Sequence, residues 1–392
     1  MTSPGRDPFF DNAKFLLIVL VVCGHSWSPL ESDIPAVRAV YTVVYLFHMP
    51  AFILICGYFS RSFRGSPAQL RALATKVLVP YLLFQTAYQA LDLWISGGHF
   101  KIHPTEPTYV LWFLLALCLW RLTAPLWQAV RFPVALAVLV SLAAGTTTMS
   151  YDLALPRVLM FLPWFVLGLR LRPEHFGLLR TAGVRRTAPF VFVAALVGAY
   201  LLAPGINPDW FNMQYGYMDL DSSLPGYLGM RLLLFVLSAV LVAAFFALVP
   251  GRHTRFTALG AVTMFPFLAH GLVIQTCEAL DLDVLVGRLG AWAAPALAVF
   301  GLTLALVLSG KPVRVLLRPL VEPEFPRWLL PREPEGPEQR ERTGRTERTG
   351  RTERTEQTER TAAASDHGRA SDRDEGHDHT EAPVKAGRQN AP

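Results

Sequence analysis

Charged residues are scarce in this sequence of 392 residues. Aspartate, glutamate, lysine and arginine make up 17% of it, against about 25% in an ordinary soluble domain, and hydrophobic residues make up 52%. This deficit excludes an ordinary soluble protein and indicates several membrane-spanning helices. The net charge of +6 does not indicate nucleic-acid binding, because the basic residues lie in loops beside the apolar runs.

Cysteine is also scarce. The chain has four: Cys23, Cys56, Cys118 and Cys277. All four lie inside apolar runs without the paired spacing of a zinc or redox site, so we interpret them as small buried side chains. His99 and His103 have no partner at ligand spacing. We therefore predict neither a metal site nor a permanently bound cofactor.

Long apolar runs dominate the first 310 residues. A helix needs roughly 17–25 mostly apolar residues to cross a bilayer. We predict spans over residues 13–30, 37–59, 77–96, 109–130, 132–149, 156–171, 188–204, 226–250, 258–280 and 284–309. The predicted fold class is all-α, a polytopic membrane helix bundle of about ten transmembrane helices. The fifth and sixth runs are short and contain Gly145, Pro156 and Pro163.

The first run is interpreted as a retained span rather than a cleaved signal peptide. Arg6 precedes an apolar stretch, as in a signal peptide, and Cys23 suggests a lipoprotein site. However, Val22 stands before that cysteine where a small residue is needed, and no A-x-A-like site follows.

Basic residues gather in alternate loops, which indicates the orientation in the cell membrane. The residues that would lie inside are Arg6, Lys14, Arg61, Arg64, Arg71, Lys76, Arg121, Arg131, Arg170, Arg172, Arg180, Arg185, Arg186, Arg252, Arg255, Lys311, Arg314 and Arg318. The opposite loops are acidic or sparsely charged. The positive-inside rule then predicts that both termini are cytoplasmic. The longest outer loop, residues 205–225, either covers an outer cavity or forms an interfacial aromatic belt.

The sequence becomes low-complexity from about residue 331. The stretch RERTGRTERTGRTERTEQTERT repeats an E-R-T/G-R-T unit, and almost nothing in it is apolar. We predict an integral membrane domain over residues 1–330 and a disordered cytoplasmic tail over residues 331–392. His367, His377 and His379 are interpreted as part of a solvated tail.

The first run carries ionisable residues, which are costly in a lipid-crossing helix and indicate function. Asp11 and Lys14 lie at one end and His25 at the other. Lys14 and His25 are separated by roughly three helical turns, so they share one face about 16 Å apart. An imidazole exchanges protons near neutral pH, so His25 is a candidate general base. The alternative is a histidine hydrogen-bonded to a neighbouring helix or lying at the interface.

Other residues are weaker candidates. His48 lies two positions before Pro50, which is expected to open or bend the helix, and the histidine then lines a cavity or satisfies the freed carbonyls. Arg71 and Lys76 suit a phosphate-rich ligand, or are ordinary inner-loop charges. Three further candidates are Trp112, His270 and Glu278; we expect His270 to form a polar contact between helices.

Two motifs resemble a known family. The segment RDPFFDNAKFLLIVLVVCGH resembles the opening of the membrane-bound acyltransferase-3 family, especially its branch of sugar O-acetyltransferases related to fucose 4-O-acetylase. The family's pattern corresponds to Arg6, Asp11, Lys14 and His25. The segment LFHMPAFILICGYF is similar to a second family motif at Phe47, His48, Met49, Pro50, Phe52, Gly57 and Tyr58. The resemblance covers about residues 6–310.

One departure from the family concerns Lys14. Much of the family has arginine there, often followed by glycine, whereas Phe15 follows in this chain. A lysine does not make the two-pronged contact of a guanidinium, so the geometry of this contact differs.

The resemblance implies transfer of an acyl group, usually acetyl, from cytoplasmic acyl-CoA to a hydroxyl of a sugar or glycoside. It implies catalytic roles for His25, His48, Asp11 and Lys14, and donor binding by Lys14, Arg71 and Lys76. His25 would act as general base, and His48 would orient it, donate to the carbonyl oxygen or shape the cavity. The implied partners are acyl-CoA, a carbohydrate acceptor and the bilayer.

The sequence is also compatible with other mechanisms and other classes of protein. No cysteine or serine lies beside both histidines in the sequence, which favours direct transfer over an acyl-enzyme. A transporter or exporter is also compatible with ten spans and a proline-bent helix, although no internal symmetry supports it. A scaffold that uses the charged tail does not explain the ionisable face of the first span.

Overall fold

The structure is a computed structural model that describes residues 7–97, 103–202 and 205–323. All regular structure in these ranges is helical, which confirms the all-α prediction. Arg6, His99 and the predicted tail lie outside the described residues.

Ten of the sixteen α-helices in the described ranges have a proline at their first or second position, where its fixed φ and missing N–H suit the first helical turn. The α-helices are α1 (Pro8–Trp27), α2 (Pro35–Phe59), α3 (Pro67–Leu73), α4 (Val79–Ser96), α5 (Trp112–Ala129), α6 (Pro133–Ala144), α7 (Leu155–Met160), α8 (Leu162–Arg170), α9 (Pro173–Leu179), α10 (Ala182–Leu202), α11 (Asp209–Asn212), α12 (Leu224–Leu248), α13 (Met264–Ala279), α14 (Leu282–Gly287), α15 (Ala293–Leu308) and α16 (Lys311–Val321). A π-helical turn, Ala74–Leu78, joins α3 to α4.

Within the described ranges, six helices are long and apolar enough to cross a membrane: α1, α2, α5, α10, α12 and α15, of which α1, α5 and α15 are counted together with adjoining 3₁₀ turns. The bent pair formed by α7 with its preceding turn and α8 gives a seventh span if it is counted as one, with a bend of 58°. The prediction of ten spans is therefore not confirmed. The runs at 77–96, 132–149 and 258–280 give α4, α6 and α13, and the last two have only 12 and 16 residues.

The first two helices form the centre of the bundle. The most apolar stretch of α2 is 72% buried and that of α1 is 61% buried, whereas that of α10 is only 6% buried. α1 packs against α15 and α2 against α8. The helix α2 runs without interruption through Pro50, so this proline does not open the span, which was one of the two outcomes predicted for it.

Two glycines allow α2 and α8 to touch through their backbones. A Cβ at Gly57 would overlap the carbonyl oxygen of Phe165, and one at Gly168 would overlap that of Leu54. Small residues at helix crossings permit this close approach in membrane proteins. The Gly57 of the second motif is thus explained by helix packing.

Gly57→Ala should lower the free energy of unfolding by about 1–3 kcal/mol, because the added methyl group forces the two backbones apart. Gly229→Ala in α12 is a matched control, because no described atom lies within 4 Å of the added Cβ. Thermal unfolding of the two purified variants in detergent measures the difference. Equal stability of both variants would contradict the close crossing.

Candidate active site

Two cavities lie at opposite ends of α1. The cavity at the carboxyl end of α1, of about 370 Å³, contains His25 in its wall. The pocket at the amino end of α1, of about 990 Å³, contains Asp11 and Lys14. We name them the outer cavity and the inner pocket after the orientation that the loop charges predict. The ionisable residues that the sequence places on one helix face therefore border cavities rather than lipid.

The outer cavity is rich in aromatic rings and polar groups. Its wall is formed by His25, Ser28, Glu31, Tyr41, Tyr45, His48, Met49, Pro107, Tyr109, Trp112, Tyr151, Arg157, Phe161, Phe211 and Asn212. The candidates His25, His48 and Trp112 are thus brought together. A concave, aromatic site with a few polar groups is the usual form of a small-molecule site.

A second imidazole lies beside His25. The ring centroids of His25 and His270 are 5.3 Å apart. His270 is fully buried, and its Nδ1 lies 2.8 Å from the carbonyl oxygen of Pro266. A carbonyl only accepts, so Nδ1 carries the proton and Nε2 of the neutral ring is an acceptor. That Nε2 is buried without a hydrogen-bond partner among the described residues.

His48 has the same local arrangement. Its Nδ1 donates to the carbonyl of Val44 at 2.7 Å, one turn earlier in α2. This is not the carbonyl of Leu46, whose amide partner Pro50 removes. The neutral His48 therefore has an acceptor at Nε2 and no proton there to donate. A neutral His48 therefore does not donate to the carbonyl oxygen of a substrate. It can accept a hydrogen bond or shape the cavity wall.

Tyrosines surround the two histidines. The ring of Tyr109 lies 4.9 Å from His25, and the ring of Tyr45 lies 4.9 Å from His48. Tyr109 has a φ of 52°, in the left-handed region that non-glycine residues rarely adopt. Such a conformation persists only where surrounding packing holds it, and here it places a ring against His25.

The outer loop covers one side of this cavity. Phe211 and Asn212 are part of the wall, and the backbone carbonyl of Asn212 accepts from Arg157 at 3.3 Å. Arg157 also donates to the Tyr151 hydroxyl at 2.9 Å, and its guanidinium lies 5.0 Å from the Trp112 ring centroid. The sequence interpretation of this loop as a cavity cover agrees with this placement.

A buried arginine in α12 holds the loop in position. Arg231 is only 2% exposed, and it donates to the Tyr227 hydroxyl and to the carbonyls of Trp210 and Tyr215 at 2.9–3.0 Å. These carbonyls flank the residues that reach the cavity. Burying an unpaired charge is costly unless its donors are satisfied, and here the loop backbone satisfies them.

Glu31 is the acidic group in this wall. It follows α1 in the loop before α2, outside the spans. Burial raises the pKa of Glu31 to about 7, assisted by Asp209 and opposed by Tyr41 and Arg38. This carboxyl therefore changes charge near neutral pH at the edge of the cavity.

The inner pocket is cationic. Its wall includes four basic residues, Lys14, Arg61, Arg64 and Arg180, and two acidic ones, Asp7 and Asp11. Asp11 forms an ion pair with Lys14 at 2.7 Å, and Asp7 caps α1 by accepting from the Phe9 amide. No carboxylate among the described residues lies within ion-pair distance of Arg61 or Arg180.

Aromatic rings line the same pocket. Phe10 stacks on Tyr58 with centroids 4.7 Å apart, and Phe176 contacts both edge-on at 5.1 and 5.2 Å. The guanidinium of Arg61 lies 3.7 Å from the Tyr58 ring centroid, and that of Arg180 lies 5.0 Å from the Phe9 ring centroid. Flat guanidinium and aromatic surfaces together suit a ligand with a planar base and phosphates.

Two predicted donor-binding residues lie elsewhere. Arg71 is in α3 and Lys76 is in the π-helical turn before α4, and neither is in the wall of the inner pocket. The sequence does not distinguish five further arginines of the two sites from the other loop and span arginines: Arg61, Arg64, Arg180, Arg157 and Arg231. Nothing in the local sequence shows which cations face a cavity.

No group of three potential metal ligands occurs in the ranges that the structure describes.

The fold and site define an all-helical membrane protein with an aromatic, histidine-containing cavity and a cationic pocket. Among known families, the model of the acyltransferase domain Acyl_transf_3 matches residues 7–310. The chain therefore belongs to the acyltransferase-3 family, which supports a membrane acyltransferase. No curated protein and no solved structure matches it.

Arg231→Met should loosen the outer loop, because each buried carbonyl left without its donor costs about 1–3 kcal/mol. Hydrogen exchange of amides in residues 205–223 is expected to accelerate by roughly thirtyfold. Arg288→Met, at an exposed arginine, is the control and should leave this loop unchanged. Unchanged exchange in the Arg231 variant would show that the loop is held by other contacts.

Proposed function

We propose that this protein is an O-acyltransferase that moves an acyl group, most simply acetyl, from cytoplasmic acyl-CoA to a hydroxyl of a sugar or glycoside. The observation that carries the proposal is the placement of a histidine cavity and a cationic, aromatic pocket at opposite ends of one buried helix. The donor's nucleotide and the acceptor's hydroxyl need these two different environments.

The proposed topology has ten crossings, with α4, α6 and α13 completing the set, and both termini cytoplasmic. The packing supports this orientation. Residues that the charge bias places inside, such as Arg61 and Arg180, meet Lys14 in one pocket. Residues that it places outside, such as Glu31, Tyr151 and Asn212, meet in the other cavity.

At the inner pocket, Arg61 and Arg180 would hold the phosphates of the donor. Guanidinium–phosphate contacts are charge-assisted and frequently two-pronged. The Phe10, Tyr58 and Phe176 cluster offers flat surfaces for adenine. Lys14, already paired with Asp11, would add one point charge rather than a forked contact.

At the outer cavity, His25 would act as the general base. A base needs its other ring nitrogen held by an acceptor, which fixes its tautomer. The unsatisfied Nε2 of His270 is such an acceptor, 5.3 Å away between ring centroids. We propose that a hydrogen bond between the two rings orients His25, directly or through one water.

The chemical step is then a direct transfer. A ring nitrogen of His25 takes the hydroxyl proton as the hydroxyl oxygen attacks the thioester carbonyl carbon. The C–O bond forms, the C–S bond breaks, and the imidazolium returns the proton to the leaving thiolate. The products are an ester and CoA thiol. His48 lines the same cavity as a neutral acceptor that positions the hydroxyl or shapes the wall.

The pantetheine chain of acyl-CoA must reach from the inner pocket to the outer cavity. Along the face of α1 that joins Lys14 to His25, Leu17 and Val21 are buried against neighbouring helices. The separation is about 16 Å for 11 residues of helix. Donor entry therefore requires this packed face to open, which makes the step a conformational one.

The acceptor assignment rests on the shape and chemistry of the outer cavity. Rings such as Trp112, Tyr109 and Phe211 provide flat apolar surfaces, and Glu31 and Arg157 provide polar contacts at the edge. This combination suits a sugar ring with several hydroxyls. It supports the sugar O-acetyltransferase branch of the family related to fucose 4-O-acetylase.

His25→Ala should lower acyl transfer by about 10²- to 10⁴-fold, since that is the usual contribution of a positioned base. His270→Ala should lower kcat with little change in the KM for acyl-CoA, and His270→Gln, which keeps an acceptor, should recover part of it. The measurement is release of CoA thiol from acetyl-CoA by membranes supplied with a glycan extract of the host cells.

The matched control is His103→Ala, because His103 is exposed and lies away from the cavity. Mass spectrometry of surface glycans and glycosides from cells with and without the gene identifies the modified acceptor. A transporter would give no acceptor-dependent thiol release and no acyl-sized mass difference. Full activity of His25→Ala would remove the general base from the mechanism.

Arg61→Gln and Arg180→Gln should each raise the KM for acetyl-CoA by roughly tenfold to a hundredfold, since a hydrogen bond to a charged group contributes about 1.5–3 kcal/mol. Kinetics with acetyl-pantetheine, which lacks the nucleotide and its phosphates, separate this effect from misfolding. The variants and the native protein should then have similar KM values.

Arg186→Gln, at an exposed arginine near the beginning of α10 and outside the pocket, is the control. Arg71→Gln and Lys76→Gln complete the series. If these two raise the KM and the pocket variants do not, the donor binds beside α3 and the π-helical turn instead.

A further inference from the structure

The last described helix, α16, has three distinct faces. At about 100° per residue, positions three or four apart fall on one side of a helix. Val313, Leu317 and Val321 form a buried or half-buried side, of which Leu317 and Val321 pack against the core. Leu316 and Leu320 form an exposed apolar side. Lys311, Arg314 and Arg318 form a basic side that lies opposite Leu316 and Leu320.

The exposed side is strongly apolar. Leu316 is 76% exposed and Leu320 is 39% exposed, although both are large aliphatic residues. An apolar stripe opposite a basic stripe is typical of a helix that lies in the membrane interface plane. The third, buried side fixes the helix to α4, α13 and α15, so the other two sides have a fixed orientation.

The position of α16 relative to the bundle follows from α15. The indole of Trp27, at the end of α1, donates to the carbonyl of Ala294 at the beginning of α15 at 3.0 Å. Cys23 contacts Ala298 one turn further along α15. The two helices are therefore antiparallel, and α16 follows α15 at the Lys14 end of the bundle. Only Ser309 and Gly310 separate α16 from the last span.

We infer that α16 is a lipid-binding helix, whose basic side binds the phosphates of anionic phospholipids while its apolar side enters the acyl region of the inner leaflet. The charge pattern selects the occupant. A second protein would bury the apolar stripe but would not require cations on the opposite side of the helix. A lipid headgroup region lies above an apolar layer, so a helix in the interface plane faces acyl chains on one side and phosphates on the other.

This inference is independent of acyl transfer. It needs only the bundle and the orientation of α16, so it can fail while the proposed function stands, and the reverse is also true. Cations near an anionic surface contribute about fivefold each to its attraction, and salt screens the effect.

The experiment uses the full chain in detergent with equal amounts of phosphatidylglycerol and phosphatidylcholine that carry identical acyl chains. Native mass spectrometry counts the lipids retained by the protein. The native chain should prefer phosphatidylglycerol, and added salt should reduce this preference. No preference in the native chain would overturn the inference without any variant.

The variant is Lys311→Gln/Arg314→Gln/Arg318→Gln, which should reduce the preference by fivefold or more. The control Arg131→Gln/Arg185→Gln/Arg186→Gln removes the same charge from exposed positions before α6 and at the beginning of α10, and should retain the preference. Equal loss in both would mean that inner-loop charge in general attracts the lipid, which overturns a specific role for α16. If the triple variant does not fold, Lys311→Gln/Arg318→Gln replaces it, because both of its residues are exposed.

A second readout locates the contact. Hydrogen exchange of peptides that cover α16 is compared in phosphatidylcholine vesicles with and without phosphatidylglycerol. Exchange should slow with the anionic lipid in the native chain and in the control, and should be unaffected in the α16 variant. Slowing that is confined to other segments would place the lipid elsewhere and overturn the inference.

Discussion

The hydrogen bonds at the two ends of α1 fix the arrangement on which the rest of the structure depends. At its start, the buried side-chain amide of Asn12 donates to the carbonyls of Pro250 and Arg252 and accepts from the hydroxyls of Thr254 and Thr257, at 2.7–3.0 Å. At its end, the Trp27 indole donates to α15. A polar helix in a membrane is tolerated when its polar groups are satisfied inside the protein. Because hydrogen bonds hold both ends of α1, the positions of Lys14 and His25 relative to the neighbouring helices are fixed.

The two cavities differ in their chemistry. The inner pocket combines stacked rings with the guanidinium groups of Arg61 and Arg180, which have no carboxylate partner among the described residues, while the outer cavity combines imidazoles, tyrosines and a loop held by Arg231. Both are built from segments that are far apart in sequence. The packed face of α1 separates the two cavities, so passage from one to the other requires a movement of helices. The family membership and these two environments together favour an acyltransferase over a passive transport pathway.

Sequence reasoning succeeded where a local pattern carries the information. Apolar runs predicted the all-helical membrane bundle, and helical spacing placed Lys14 and His25 on one face at different depths. It failed where helix ends depend on packing. The run at 132–149 gives only the short α6, and Pro50 is accommodated within a continuous α2. For His270, sequence reasoning predicted a polar contact between helices. The short distance between His270 and His25 arises from a crossing of α1 and α13 that no local pattern encodes.

The sequence by itself determined the fold class, the loop charges and the two candidate histidines of α1 and α2, because these follow from hydrophobicity, charge and periodicity within short segments. Only the tertiary structure decided which cations face the inner pocket, which ring stands beside His25, and which buried arginine holds the outer loop. Those relations join residues that are distant in the chain, such as His25 and His270. They are set by the packing of helix surfaces, which depends on the whole chain rather than on any segment of it.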